Sequence, residues 1–289
     1  LDLSILFVQI ITGLAYGMLL FMIAAGLTII FGLLSVVNLA HGALFMIGGY
    51  FTFTFINQHL NFWLALLISV ILLAILGMLI ERFLLNRMYG KELEQVLLTF
   101  GLIFIFTDLV KWIWGSSPKS ISIPPLLDAS LTIGVVTFPV YRLFVVVVGC
   151  AVALLLWYIE SRTRIGAIVR AGVDDRHMLS SLGINFKLVF AGVFAFGAGM
   201  AGLSGGLGAP ILGLYSGMDN DVLILSLVIV VIGGLKTWKG AFIGAILVGM
   251  VDTLGQVWFP SFSMVLIFAL MVFILLIKPS GLFGKGVDA

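Results

Sequence analysis

Long apolar runs separated by short polar turns fill this chain from one end to the other. Crossing about 30 Å of hydrocarbon takes roughly 20 helical residues, and runs of that kind stand near 5–31, 36–57, 62–84, 95–115, 139–159, 187–209, 240–258 and 262–278. A shorter run over 222–235 predicts an incomplete or re-entrant pass, so the pattern gives eight or nine transmembrane helices. Unpaired backbone groups are excluded from lipid, and the runs are too long for strands, so helices are predicted throughout. The fold class expected is an all-α polytopic membrane protein, with one transmembrane domain over 1–289. The first run has no basic segment before it and no small-residue cleavage site after it, so it reads as a permanent span.

Composition agrees with this pattern. Of 289 residues 62% are hydrophobic and 10% charged, where a soluble domain needs about a quarter charged. The net charge of +2 is too small and scattered to indicate nucleic-acid binding. Basic residues also orient the chain, because Lys and Arg accumulate on cytoplasmic flanks. With the N-terminus outside and nine passes, 12 of the 15 basic residues fall inside: Arg82, Arg87, Lys91, Arg162, Arg164, Arg170, Arg176, Lys187, Lys236, Lys239, Lys278 and Lys285. Eight passes would put the last two lysines opposite the others. The C-terminus is therefore expected in the cytoplasm.

The connection over 115–138 is expected outside, kept from forming a helix by Pro118, Pro124 and Pro125. Trp112 and Trp114 beside it read as interface anchors. Cys150, the single cysteine, reads as a small buried hydrophobe and excludes an intrachain disulfide.

The 34 glycines include pairs four apart: Gly13 with Gly17, Gly202 with Gly206, Gly213 with Gly217, and Gly240 with Gly244. That spacing lets helix backbones approach closely in lipid. The stretch from Phe196 to Pro210 is denser still, and it predicts either tight packing or a discontinuous helix lining a cavity, with Gly205 and Gly206 at its centre. A short echo, His41-Gly42-Ala43-Leu44 against Lys239-Gly240-Ala241-Phe242, opens two of the apolar runs.

Few polar residues sit at membrane depth. Asn38, His41 and Gly42 lie between two apolar runs, where Asn38 caps the next helix and His41 bonds a backbone carbonyl, or where they line a path. Asp108 faces Lys111 three positions on. Asp252 has no opposite charge in its own helix and must find a cation, several hydrogen bonds or a proton. Asp219, Asn220 and Asp221 read as an outer polar cluster that caps a helix at Val222 or lines an entrance.

The segment 160–187 is charged yet carries Ile165, Ile168, Val169, Met178, Leu179 and Leu182 at helical spacings. Asp174 or Asp175 would cap a short helix ending at Gly183, with Met178, Leu179 and Leu182 as a face for a cytosolic partner or, alternatively, for lipid. No G-x-x-x-x-G-K-[ST] is present, so an ATP-driven mechanism requires a separate motor.

Several of these segments resemble the permeases of branched-chain amino acid ABC importers, specifically the shorter of their two permease types. The resemblance runs through Gly26-Leu27-Thr28-Ile29-Ile30-Phe31-Gly32, Val37-Asn38-Leu39-Ala40-His41-Gly42, Glu81-Arg82 and Leu97-Leu98-Thr99-Phe100-Gly101-Leu102. It continues in Thr163-Arg164-Ile165-Gly166-Ala167-Ile168-Val169-Arg170-Ala171, Leu182-Gly183-Ile184-Asn185, Val231-Ile232-Gly233-Gly234-Leu235, Gly240-Ala241-Phe242-Ile243-Gly244 and Lys278-Pro279-Ser280-Gly281-Leu282-Phe283-Gly284. Leu39 stands where such permeases usually have Phe, and 175–181 is less alanine-rich than theirs.

What the resemblance implies is a bacterial inner-membrane permease working with a second, related permease, two cytosolic ATPase subunits and a periplasmic solute-binding protein. It has no cofactor of its own, ATP and Mg belonging to the partners. Arg170, Asp174, Asp175, Met178, Leu179, Leu182 and Gly183 would form the helix seated on the ATPase. Asn38, His41, Gly42, Gly205, Gly206, Asp219 and Asp252 are the candidates for the path. Rival readings are a proton- or sodium-coupled secondary transporter using Asp252 and His41, an intramembrane enzyme, and a membrane scaffold.

Overall fold

A computed structural model describes residues 3–34, 37–133, 136–174 and 183–284. In chain order it contains α1 (Leu3–Leu34), α2 (His41–Asn57), α3 (Phe62–Phe83), α4 (Glu92–Trp114), β1 (Ser130–Ile133), β2 (Val136–Pro139), α5 (Val140–Arg162), α6 (Arg164–Asp174), α7 (Phe186–Leu212), α8 (Met218–Gly233), α9 (Trp238–Trp258) and α10 (Ser263–Ile277). Seven of its helices are long and apolar enough to cross a membrane: α1, α3, α4, α5, α7, α9 and the unit ending in α10. The molecule is thus a multi-pass helical membrane protein. The connection between α4 and α5 adds one element the apolar pattern does not carry, an antiparallel hairpin in which Ser130 faces Pro139 and Ile133 faces Val136.

The buried centre is built by α1, α2, α7, α8 and α9. Three of the four glycine pairs make helix contacts. A Cβ on Gly17 would stand 2.7 Å from the Ala245 carbonyl oxygen, one on Gly206 2.5 Å from the Leu66 side chain, and one on Gly244 2.9 Å from the Ile229 carbonyl oxygen. Gly213 and Gly217 instead take left-handed φ angles of 71° and 107° on either side of a break between α7 and α8. Only glycine adopts such angles without strain. The dense stretch 196–210 is one continuous helix, packed glycine by glycine against α1, α2 and α3, so the discontinuous-helix expectation is corrected. Backbone interruption sits after Leu212, outside that stretch.

Interruption also marks α2. The helix expected from residue 36 begins at His41, where Nε2 of the ring lies 3.1 Å from the Ile23 carbonyl oxygen of α1. Ile23 is 11 residues before the end of α1, about 16 Å along the axis at 1.5 Å per residue. The start of α2 is therefore inside the bundle. The start of α8 is inside it as well, since Asp219 accepts a 2.8 Å hydrogen bond from Thr107, about 10 Å short of the end of α4 at Trp114. These two helix starts meet: a Cβ on Gly42 would overlap the Asp219 carbonyl oxygen.

Other expectations are adjusted by packing. Trp112 is exposed, but Trp114 turns inward, donates 2.7 Å to the Thr54 hydroxyl and stacks beside Tyr50, so it clamps α4 to α2 and is no lipid anchor. Cys150, expected buried, is exposed on the outer side of α5. After α10 the chain returns to α8, with Leu282 and Phe283 amides donating to the Ile232 and Gly233 carbonyls. Lys278 accordingly ends near Lys236, at the end of the bundle that also holds Arg162 and Arg170.

Candidate translocation and coupling sites

Two regions gather the polar residues. The first is the junction of α2 and α8. Before α2 the chain makes a tight turn in which Asn38 Oδ1 accepts from the Ala40 amide at 3.2 Å, and the Leu39 amide donates to Thr99 of α4 at 3.3 Å. Asn38 thus holds the turn before the helix and does not cap its first turn. His41 is fully buried against Gly26, its Nε2 proton directed to Ile23 and its Nδ1 without a partner.

Asp219, Asn220 and Asp221 do not cap α8 either. The N-cap is Gly217, with no side-chain cap, and the two carboxylates occupy the first turn, where the positive end of the helix dipole favours them. Asp221 accepts 2.8 Å from the Tyr215 hydroxyl. Asp219 is no surface entrance residue: it is 1% exposed, and its Oδ1 has no hydrogen-bond partner. Asp252 on α9 accepts 2.8 Å from Gln256 one turn on, and no ion pair reaches it among the described residues. Asp108 and Lys111 pair at 3.5 Å on an exposed face of α4. The echo has a structural counterpart, with Gly42 seated on the first turn of α8 and Gly240 on its last at Gly233.

The second region is the basic end. A cavity of about 1230 Å³ opens there, walled by α1, α5, α6, α7, α8, α9 and α10, and reaches inward to Thr28 and Phe196. Those residues neighbour Gly26 and Gly197, the glycines of the His41 level. α6 folds directly back on α5, because a Cβ on Gly166 would overlap the Ile159 carbonyl oxygen. Arg170 donates to the Glu160 carbonyl, while the Glu160 carboxylate accepts 2.8 Å from Trp238 Nε1 and lies 3.7 Å from Lys239 Nζ. Glu160 thereby ties α6 to the start of α9.

Of the coupling residues, Arg170 is on α6 and Asp174 is its last residue, so Asp174 ends a helix where a start was expected. Gly183 has a left-handed φ of 74°. Asp175, Met178, Leu179 and Leu182 lie outside the described residues. Glu160, Trp238 and Thr107 escape sequence reasoning. Thr107 extends a polar stripe on α4 with Gln95 and Thr99, both buried, which is the signal that could have found it.

The family model for the permease component of the branched-chain amino acid transport system matches residues 9–275. The chain belongs to this permease family. It is a transport subunit. Among the described residues no group of three His, Cys, Asp or Glu stands close enough to hold a metal ion. The permease is 28% identical to the high-affinity branched-chain amino acid transport permease BraD of Pseudomonas aeruginosa, over 96% of this chain and 95% of that protein. Its identity to LivH of Escherichia coli K12 is 26%, over 96% and 95%. To LivM of the same organism it is 27% identical over 92% of this chain, but over only 68% of that protein. Among solved structures, PsaBC from Streptococcus pneumoniae in complex with Fab shares the fold, with a TM-score of 0.50 and 12% identity over 94% of this chain and 92% of that one.

Proposed function

We propose that this permease is the shorter of two related membrane subunits of a binding-protein-dependent ABC importer for branched-chain amino acids or related small polar solutes. The observation that carries this reading is the family match across 9–275. Matching LivH along 95% of its length and LivM along 68% supports a pair of unequal, related permeases. Two cytosolic ATPases bind ATP and Mg and act as the motor by hydrolysing the ATP, and a periplasmic binding protein delivers the cargo to a complex in the bacterial inner membrane. The whole chain acts as one transmembrane domain, with 115–138 outside and 160–187 facing the ATPase.

Nine passes with the N-terminus outside are supported by Pro279 and Ser280, next to Lys278, lining the same cavity as Lys236 and Arg170, since an eight-pass chain would carry that end to the opposite side. Asn38, His41, Gly42, Asp219 and Asp252 then border a path that runs from the outer face, past the α2/α8 junction, to the basic-end cavity, while Gly205 and Gly206, packed against α2 and α3, hold together the helices beside it. Movement of the ATPases reaches it through Arg170 and the 174–183 segment. Glu160 carries that movement to α9, because its carboxylate and carbonyl hold both ends of the linkage.

Uptake into proteoliposomes distinguishes this reading from a secondary transporter. Radiolabelled leucine, isoleucine and valine should enter only when the sister permease, ATPases, ATP and loaded binding protein are all present. Uptake by this chain alone, driven by a proton or sodium gradient, would contradict the proposal.

A further inference from the structure

Glu81 borders neither the path nor the linkage through Glu160, yet it is 1% exposed near the end of α3. Taking a carboxylate out of water is costly, and an apolar pair of similar size often holds a fold together as well or better. What such a buried acid adds is geometry, because its hydrogen bond is directional. Its partner is the Tyr89 hydroxyl, which donates to Oε1. Arg82 and Lys187 act on Glu81 electrostatically, but neither forms an ion pair with it among the described residues.

Tyr89 stands where three helices meet. Its hydroxyl ties it to α3. Its ring is edge-on to Phe190 at 5.4 Å and tilted against Phe186 at 6.4 Å, and Phe186 opens α7 directly after the segment proposed to face the ATPase. One residue before Tyr89, the Met88 carbonyl accepts 2.7 Å from Gln95 of α4. Gln95 begins the polar stripe of α4, and the other two members of that stripe hold the α2/α8 junction. Thr99 accepts from the Leu39 amide in the turn before α2, and Thr107 donates to Asp219 in the first turn of α8. From Gln95 to Thr107 is about 18 Å of a single helix at 1.5 Å per residue. Ring contacts alone can slide, whereas the hydrogen bond to Glu81 fixes where the α3–α4 turn sits against α7. A displacement at the entry of α7 therefore has a continuous route along α4 to both helix starts.

We propose that Glu81 and Tyr89 are positioning residues of the importer, fixing the α3–α4 turn to the entry of α7 so that movement of the ATPases passes along α4 to the α2/α8 junction. This role rests on ATP-driven import as the function.

The test uses the complete reconstituted importer and radiolabelled leucine, scoring leucine moved per ATP hydrolysed, because a folding or docking defect lowers both quantities together. Tyr89→Phe keeps the ring against Phe186 and Phe190 but removes the hydroxyl, and should lower this ratio by about tenfold, the scale of a hydrogen bond to a charged group. Glu81→Gln keeps an acceptor for the hydroxyl and should stay within about threefold of wild type. The deciding variant combines Tyr89→Phe with Glu81→Met, exchanging both partners for apolar groups of similar shape. Its thermal stability should equal or exceed that of wild type, while its ratio stays about tenfold down. A wild-type ratio in this double variant overturns the positioning role, and so does a ratio that merely tracks thermal stability across the variants. Should the double variant fail to assemble, Gln95→Leu decides, since it cuts the next contact along the route: a ratio about threefold down supports the role, and a wild-type ratio overturns it. A wild-type complex that hydrolyses ATP and moves no leucine overturns the proposed function itself.

Discussion

Gly205→Val is expected to leave no working transporter. A Cβ at Gly205 would overlap the Phe45 carbonyl oxygen of α2, and the next two atoms it would meet are also backbone, including the Gly49 amide nitrogen. Backbone cannot rotate out of the way as a side chain can, so α2 and α7 would have to separate. Overpacking of a well-filled core costs about 3 kcal/mol or more when the neighbours are rigid. Separation would also pull Thr52 from its 3.1 Å hydrogen bond to Ser69 and strain the attachment of α3. Thermal unfolding in detergent and the yield of monodisperse protein should both fall steeply. Gly101→Ala is the matched control. It has nothing within 4 Å, and its helix should be unaffected or gain slightly from the better helix former.

Charging both Leu179 and Leu182, as glutamates, should abolish import while leaving the membrane bundle intact. In the proposed complex Met178, Leu179 and Leu182 meet the ATPase through apolar contact. Replacing a central apolar anchor with a carboxylate loses about 2 kcal/mol or more per site, so the pair should weaken docking by about a thousandfold. Pull-down of the ATPases and ATP-driven uptake should then disappear together. Thermal stability of the permease should be unchanged, because Arg170 still holds Glu160, which still holds Trp238. Uptake that survives in the double variant would place the coupling contact elsewhere.

Apolar periodicity made most of the helices legible, since lipid demands length and hydrophobicity and both are written locally. It misplaced the start of α2, which begins at His41 and not at 36, because the turn through Asn38 and Leu39 is held by Thr99 of α4, sixty residues away. Glycine spacing foretold close helix contacts but not which glycines break the chain. Gly213 and Gly217 share the four-residue interval of the packing pairs, and only their left-handed φ angles separate them. At the site, Asp219 stood out as polar, yet a surface cap and a buried carboxylate look alike until Thr107 is brought to it from another helix. Glu160 and Trp238 are joined across 78 residues, a distance no local pattern reports. Burial of individual side chains followed the same rule, with Cys150 facing outward because α5 presents that side away from the bundle.

The proposed path passes the meeting point of α2 and α8. Thiol accessibility measures this directly, using Asn38→Cys in a Cys150→Ala background so that one cysteine reports. In the assembled importer, a membrane-impermeant maleimide should modify this cysteine from one face of the membrane in the nucleotide-free state and from the opposite face in the ATP-trapped state. A cysteine there that stays unreactive from both faces in every nucleotide state, in a complex that still imports, would contradict the account.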